Sequence, residues 1–252
     1  MDARPVGMLD SGLGGISVLK EAIRCLPEEN FVYFGDTAHI PYGDKPPREV
    51  LRLTREGVNR LLKEGCKAIV IACNTATSAA AEALRSEFTF PIIGVEPALK
   101  PASLLEGTGK IAVLATRVTL ALPKFARLME QYGQDAIPVP CPGLMECVER
   151  GEREGPEVDR LLKACLAPLE GIPLKAAVLG CTHYPFLRKA ISAHLGEGVP
   201  LIDGSLGTAR QLRRRLEEEE LLSPGPGGGV RFLSSSPEET VLAKMQEMLN
   251  LE

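Results

Sequence analysis

One pattern occurs twice in this chain, as AIVIACNTATS at residues 68–78 and as AAVLGCTHYPFL at residues 176–187. Each stretch begins with an apolar run of strand length and continues through a cysteine to polar residues that can begin a helix. Cys73 and Cys181 are therefore predicted at equivalent positions, at the carboxyl ends of two buried strands. Because ligands of open α/β sheets bind at that edge, the pattern predicts two related halves that share one cleft.

Strand-like segments alternate with segments of helical spacing along the whole chain, which predicts an α/β fold with largely parallel sheets flanked by helices. One of the predicted helices covers residues 119–132. We expect the helix after Asp203 and the last strand and helix to return to the first half. The first domain is then discontinuous, with residues 1–95 and 207–252, and the second domain comprises residues 96–206.

The composition argues against several classes of function. The net charge is -4 without a basic block, which argues against a nucleic-acid partner. The apolar runs are shorter than the ~18 residues of a membrane span, and the first predicted strand leaves no room for a signal peptide. Seven cysteines without a CxxC pair fit a reduced, cytoplasmic protein. We therefore expect neither a nucleic-acid nor a membrane partner.

Five of the seven cysteines are interpreted as small core residues, because they lie in or beside predicted helices or between prolines; these are Cys25, Cys66, Cys141, Cys147 and Cys165. Cys73 and Cys181 differ because each lies in a strand-end turn next to a helix N-terminus. The partial positive charge there lowers a thiol pKa and can hold a carboxylate. Two thiols that face one substrate carbon suggest that one removes a proton and the other returns a proton to the opposite face.

Acidic residues and a histidine accompany the two cysteines. Asp10 and Asp36 follow the first two predicted strands, and each could orient a thiol or accept its proton, or could simply cap the next turn. The Ser-Gly-Leu-Gly-Gly sequence after Asp10 favours a functional role, because glycines let a ligand approach the backbone. It does not fit GxGxxG, which argues against dinucleotide binding. His183 follows Cys181 by two residues and could share its proton.

Five motifs, in this order, resemble those of the cofactor-independent aspartate/glutamate racemase superfamily, and most closely those of bacterial glutamate racemases. They are DSGLGG at 10–15, GDTA at 35–38, PYG at 41–43, ACNTA at 72–76 and GCTHYP at 180–185. The resemblance extends over nearly the whole chain. It implies interconversion of L- and D-glutamate without pyridoxal phosphate or metal, in support of peptidoglycan synthesis. It also implies two α/β domains related by a pseudo-twofold axis, with the active site in the cleft between them, in a homodimer.

The resemblance implies roles for individual residues. Cys73 would take the α-proton from D-glutamate and Cys181 would take it from L-glutamate, and each would donate in the opposite direction. Asp10 would assist Cys73 and His183 would assist Cys181. The acidic residues that would support the two sides are Asp36 and Glu149. The residues that would hold the carboxylates and the amine of the substrate are Asp10, Ser11, Tyr42, Gly43, Asn74, Thr75, Thr182 and His183.

Some positions depart from the pattern of the resembled family. His39 stands where that family often has arginine. Residues 117–122 lack the usual Gly-Thr and nearby serine, which weakens any assignment of Thr116 or Thr119 to substrate binding. Glu146-Cys147 replaces the usual Pro-Leu before Glu149.

Three alternatives stay open at this point. The first is a racemase for aspartate or a hydantoin, although aspartate racemases usually carry Cys-Thr-Glu at the second thiol and this chain has Cys-Thr-His. The second is a thiol hydrolase with Cys181 as nucleophile and His183 as base. We expect the two-residue spacing to be poor geometry for that pair, and Cys73 would have no role. The third is a binding protein for amino acids that uses the same cleft.

Overall fold

Strands and helices alternate in this computed structural model, which describes residues 1–196 and 198–251. The strands are β1 (Val6–Asp10), β2 (Phe31–Gly35), β3 (Ala68–Ile71), β4 (Ile92–Gly94), β5 (Lys110–Ala115), β6 (Ala136–Pro140), β7 (Leu174–Leu179), β8 (Leu201–Asp203) and β9 (Val230–Ser234). They form a five-stranded sheet in the order β4-β3-β1-β2-β9 and a four-stranded sheet in the order β6-β5-β7-β8. Every described strand pair is parallel.

The two sheets share one strand order, which confirms the prediction of two similar α/β halves. In each half the first strand is central, the second strand lies on one side, and the third and fourth strands lie on the other side. Cys73 follows the third strand of the first sheet and Cys181 follows the third strand of the second sheet. The sequence repeat therefore reflects equivalent positions in the two halves.

Helices cover the sheets and supply most of the residues that pack against them. They are α1 (Ile16–Cys25), α2 (Pro47–Lys63), α3 (Asn74–Glu87), α4 (Leu99–Ser103), α5 (Arg117–Ala121), α6 (Pro123–Tyr132), α7 (Leu144–Arg150), α8 (Pro156–Leu166), α9 (Arg188–Leu195), α10 (Ser205–Glu218) and α11 (Glu239–Asn250). Proline at the first position of α2, α6 and α8 suits a helix start, because the first amides of a helix have no partner within it. Among the described residues, none of these helices is both long and apolar enough to cross a bilayer.

The C-terminal segment packs on the first sheet. β9 pairs with β2, and α10 packs against α1. This placement is the one expected for the last helices and strand. The division of the chain into domains at residues 95/96 and 206/207 stays a prediction.

The helix predicted over residues 119–132 is wrong in its extent, because the structure has two helices there. α5 ends at Ala121 and α6 begins at Pro123. Leu122 between them is extended, with φ -83° and ψ 147°. Proline disfavours the helical conformation of the preceding residue and has no N–H to continue the helix. A new helix therefore begins at Pro123, and α5 is a short helix of five residues beside the cleft.

A buried ion pair lies at the amino edge of the first sheet. The ammonium of Lys67 lies 2.6 Å from Oε2 of Glu29 and donates to the carbonyl oxygen of Asp2 at 2.6 Å. The second carboxylate oxygen of Glu29 accepts the N–H of Ser223 at 2.7 Å. The side chains of the pair are 0% and 2% exposed. The ion pair therefore connects the N-terminal segment, through Asp2, and the C-terminal segment, through Ser223, to the first sheet.

Replacing Lys67 with methionine is expected to lower the free energy of unfolding by about 3–5 kcal/mol, because Glu29 would be left charged and buried without a partner. Urea unfolding at pH 7 measures the change. The matched control is Lys110→Met, since Lys110 pairs with Asp135 where both side chains are nearly half exposed. Its loss should stay below about 1 kcal/mol. Equal losses in the two variants would contradict the expected role of burial.

Candidate active site

Cys73 and Cys181 line one cavity between the carboxyl edges of the two sheets. The space between the atoms that line the cavity is about 310 Å³, and part of it is open to solvent. The two thiols are 6% and 7% exposed, so both are shielded from bulk water. Of the residues predicted for the site, those that line the cavity are Ser11, Tyr42, Gly43, Cys73, Asn74, Thr75, Cys181, Thr182 and His183. The cavity is also lined by Thr116, Met145 and Gly180.

The Cys181 side carries a histidine and a carboxylate in series. Nδ1 of His183 lies 3.6 Å from Sγ of Cys181, and its Nε2 lies 2.6 Å from Oε1 of Glu149. Burial by itself lowers the pKa of His183, but its hydrogen bonds to Cys181 and Glu149 outweigh burial and raise that pKa well above its usual value. A protonated His183 would donate from Nε2 to the carboxylate and from Nδ1 toward the sulfur, which stabilises negative charge on Cys181.

The expectation that a spacing of two residues is poor geometry for a nucleophile–base pair of Cys181 and His183 is wrong. Their spacing of two residues brings Nδ1 to 3.6 Å from the sulfur. The reason is the backbone of the turn: His183 is in the right-handed helical region at φ -78° and ψ -30°, which folds its ring back toward the cysteine. The geometric objection to a thiol hydrolase therefore falls, whereas the objection that such an enzyme leaves Cys73 without a role still stands.

The glycine turn after β1 makes room for side chains of the second half. A Cβ added at Gly12 would lie 2.0 Å from Oε1 of Glu149, and one added at Gly14 would lie 2.3 Å from Nδ1 of His183. The backbone N–H of Leu13 also donates to Oε1 of Glu149 at 2.7 Å. The glycines were expected to admit a ligand to the backbone. In the structure they admit the Glu149–His183 pair, which they hold in place.

The Cys73 side is acidic and hydroxyl-rich. Sγ of Cys73 lies 3.6 Å from Oγ of Ser11 and accepts the N–H of Ala76 at 3.4 Å, which caps α3. Burial, followed by the charge of Asp10, raises the pKa of the Cys73 thiol to about 12, although the Ala76 amide and Ser11 act in the opposite direction. At neutral pH the raised pKa keeps Cys73 as a protonated thiol, which can donate a proton.

Asp10 links the two sides of the cavity. Its Oδ1 accepts the N–H of Gly12 at 2.8 Å, and its Oδ2 accepts the hydroxyl of Thr182 at 3.2 Å. Burial raises the pKa of Asp10 to about 6, and the charge of Glu149 adds to the increase. The charge of His183 and the two hydrogen bonds oppose this shift without cancelling it. A carboxyl that titrates near neutral pH can exchange a proton with a neighbouring thiol.

The raised pKa of Asp10 predicts a specific dependence of stability on pH. Between about pH 4 and pH 6 the folded chain keeps a proton on Asp10 that the unfolded chain has lost, so this group stabilises the fold increasingly as the pH falls through that window. The shift from 3.8 to about 6 corresponds to about 3 kcal/mol. Urea unfolding at about pH 7 and pH 4 should show the wild type gaining this amount relative to Asp10→Asn. An equal change in the free energy of unfolding of the wild type and of Asp10→Asn would contradict this prediction.

Asp36 lies beside Tyr42 and His39. The hydroxyl of Tyr42 donates to Oδ2 of Asp36 at 2.6 Å, and Nδ1 of His39 lies 2.7 Å from Oδ1. Both carboxylate oxygens therefore have partners other than a thiol. Burial and the charge of Asp36 raise the pKa of Tyr42, so its hydroxyl stays protonated. This arrangement orients Tyr42, which lines the cavity, while His39 holds the other oxygen of the same carboxylate.

Three threonine hydroxyls form a cluster that joins the two halves. Oγ1 of Thr75 lies 3.1 Å from that of Thr116 and 3.2 Å from that of Thr119, and Thr116 and Thr119 are 3.0 Å apart. Sequence reasoning left Thr116 out because the residues after it depart from the family pattern. The equivalence of the two halves is a signal for Thr116 as a site residue. Thr116 follows β5, the first strand of its sheet, just as Ser11 follows β1.

His183 is the one side chain of the described cavity lining that can carry a positive charge. Among the described residues that line the cavity there is neither lysine nor arginine. The available donors are hydroxyls and the backbone amides at the start of α3, where the helix dipole favours a carboxylate. Asn74 is 5% exposed, and its Oδ1 is buried without a hydrogen-bond partner from the protein. A buried acceptor in a ligand cavity is suited to a donor such as an ammonium group.

The fold and the cavity together define a class of protein: two parallel α/β halves that each present one thiol to a shared cavity. Residues 24–212 match the model of the Asp/Glu/Hydantoin racemase family, to which the chain belongs. A glutamate racemase of Clostridium perfringens is 48% identical over 248 residues, which are 97% of this chain and 95% of the relative. The same class of enzyme appears among solved structures.

Two solved structures superpose on nearly the entire chain. Glutamate racemase from Thermus thermophilus, in complex with beta-chloro-D-alanine, is 39% identical with a TM-score of 0.83, over 98% of this chain and 94% of that one. Glutamate racemase from Francisella tularensis, in complex with D-glutamate, is 29% identical with a TM-score of 0.85, over 100% and 96% of the two chains. These likenesses confirm the predicted two-domain α/β fold and the resemblance to glutamate racemases.

Proposed function

We propose that this chain interconverts L-glutamate and D-glutamate by proton transfer between the substrate and two thiols. The observation that carries the proposal is the placement of Cys73 and Cys181, which come from equivalent strand ends of the two sheets and line one cavity. Each thiol has a separate set of acid–base neighbours. The high identity to glutamate racemases over nearly full length supports glutamate as the substrate.

In the direction from L- to D-glutamate, Cys181 acts first. Its sulfur, with negative charge stabilised by a protonated His183, removes the α-proton from one face of the substrate. Cys73, held as a thiol by its raised pKa, then donates a proton to the opposite face. In the reverse direction Cys73 is the base, with Asp10 able to accept its proton, and Cys181 is the acid.

The α-proton of an amino acid is weakly acidic, so the site must stabilise charge that develops on the α-carboxylate. Preorganised donors in a closed cavity do this well, since they need no reorganisation during the reaction. We assign this role to the amides of Asn74 and Thr75 at the start of α3. The oxygen Oδ1 of Asn74 accepts from the substrate ammonium. Ser11, Tyr42 and Gly43 line the part of the cavity that we assign to the second carboxylate.

The proposal also covers the biological role of the protein, its location and its partners. D-glutamate formed by the enzyme would supply peptidoglycan synthesis, in the cytoplasm, where the seven free cysteines stay reduced. The protein would act as a homodimer, with glutamate as its small-molecule partner and without nucleic acid or membrane. The reaction would need neither pyridoxal phosphate nor metal.

The test is exchange of the α-proton in D₂O, begun separately from L- and D-glutamate, with EDTA-treated enzyme and no added cofactor. Deuterium should enter the product from both directions. A higher kcat/KM on aspartate would overturn glutamate as the substrate. An acyl-enzyme trapped on Cys181 would favour a hydrolase, and binding of glutamate without exchange would favour a binding protein.

A further inference from the structure

A serine of the first half reaches the turn that carries Cys181. Ser17 lies in the first turn of α1 and is 7% exposed. Its Oγ lies 2.9 Å from the carbonyl oxygen of Thr182 and 2.9 Å from that of Gly14. A hydroxyl has one proton to donate. The carbonyl of Gly14 already has a donor in the backbone N–H of Ser17 at 3.0 Å, whereas the hydroxyl of Ser17 is the donor found for the carbonyl of Thr182, so donation to Thr182 satisfies both carbonyls.

The turn after Cys181 needs a donor from outside. The amides of residues 184 and 186 donate to the carbonyls three residues earlier, at 3.0 and 3.1 Å. The carbonyl of Thr182 comes between these two and would accept the N–H of residue 185, but Pro185 has none. A buried carbonyl without a donor is unfavourable, and it destabilises the local conformation. Ser17 supplies the donor that Pro185 lacks.

Thr182 is thus held by the first half at two points. Its hydroxyl donates to Asp10 at 3.2 Å, and its carbonyl accepts from Ser17 at 2.9 Å. Thr182 lies directly between Cys181 and His183 in the sequence, so its backbone fixes where both side chains point. The two thiols belong to different sheets, and their separation depends on contacts of this kind between the halves.

We propose that Ser17 is a positioning residue for the Cys181 side of the reaction, which it holds at the correct distance and angle from the substrate carbon through the Thr182 carbonyl. The inference rests on the two-thiol racemisation proposed above. Ser17 does not line the cavity; it acts through the turn. Its loss should therefore hinder proton transfer at Cys181 more than proton transfer at Cys73.

Rates alone do not identify the affected thiol. L- and D-glutamate have equal free energies, so kcat/KM must fall by the same factor in both directions. Primary deuterium isotope effects do separate the two sides, because each reports how far one proton abstraction limits the rate. With α-deuterated L-glutamate the sensitive abstraction is by Cys181, and with α-deuterated D-glutamate it is by Cys73.

The experiment compares Ser17→Ala with wild type in both directions. We expect kcat/KM to fall roughly 10- to 100-fold, as for a small misplacement of a reacting group. The isotope effect on kcat/KM should rise with α-deuterated L-glutamate and fall with α-deuterated D-glutamate. The matched control is Ser86→Ala, which removes an exposed helical hydroxyl that donates to Ala83 at 2.7 Å. It should leave kcat/KM and both isotope effects unchanged.

Ser17→Cys, which keeps the shape and weakens the donor, should show the same pattern with a smaller loss. If Ser17→Ala does not fold, Ser17→Cys is used for the same measurements. A loss of rate with both isotope effects unchanged would mean a purely structural role and would overturn the inference, as would no loss of rate. The proposed function fails separately, if the wild type itself does not exchange the α-proton.

Discussion

Replacing either Cys73 or Cys181 with serine is expected to reduce racemisation of glutamate by about 10²–10⁴-fold, the usual contribution of a general acid or base. A serine hydroxyl is a far weaker acid than a thiol and cannot supply the base. Both thiols are almost completely buried, so water cannot easily replace them. Circular dichroism spectropolarimetry in D₂O follows racemisation, and NMR follows the α-proton.

The variants should also separate the two half-reactions. Cys181→Ser should lose exchange of the α-proton of L-glutamate more than that of D-glutamate, and Cys73→Ser should show the opposite preference. The matched control is Cys66→Ser, because Cys66 is a buried cysteine at the opposite end of β3 from the cavity. It should cost stability rather than activity per folded molecule. Full racemisation in either active-site variant would exclude the two-thiol mechanism.

Replacing Gly14 with alanine is expected to lower kcat/KM by roughly 100-fold while the two sheets still form. The added methyl would lie 2.3 Å from Nδ1 and 2.6 Å from Cε1 of His183, much closer than any real contact. The imidazole is buried and bonded to Glu149, so it cannot move without losing that bond or its contact with Cys181. A displacement of about 1 Å at a reacting group has effects of this size.

The measurement is steady-state kinetics in both directions, together with the melting temperature. Gly207→Ala is the matched control, because Gly207 lies within α10 and an added methyl there meets nothing within 4 Å. This control should keep its activity and gain up to about 1 kcal/mol of stability, the usual difference between glycine and alanine in a helix. Unchanged kinetics in Gly14→Ala would contradict the role given to the glycine turn.

The alternation of strand and helix patterns was sufficient to predict the class of fold, because periodicity is a local property of the sequence. The repeated strand–cysteine pattern similarly predicted two related halves. The same local reasoning failed at Leu122, where the apolar spacing continues across a helix break. Pro123 is the local signal for this break, because proline disfavours the helical conformation of the residue before it.

Strand patterns and turn residues are encoded within a few positions, so they were enough to predict that Cys73 and Cys181 end two buried strands. Which side chains reach the two cysteines depends on the packing of distant parts of the chain. Glu149 meets Leu13, and Ser17 meets Thr182, across 136 and 165 residues of chain. Such pairs have no common periodicity or motif, because they arise from the packing of one half against the other. The catalytic geometry is therefore a property of the interface between the halves.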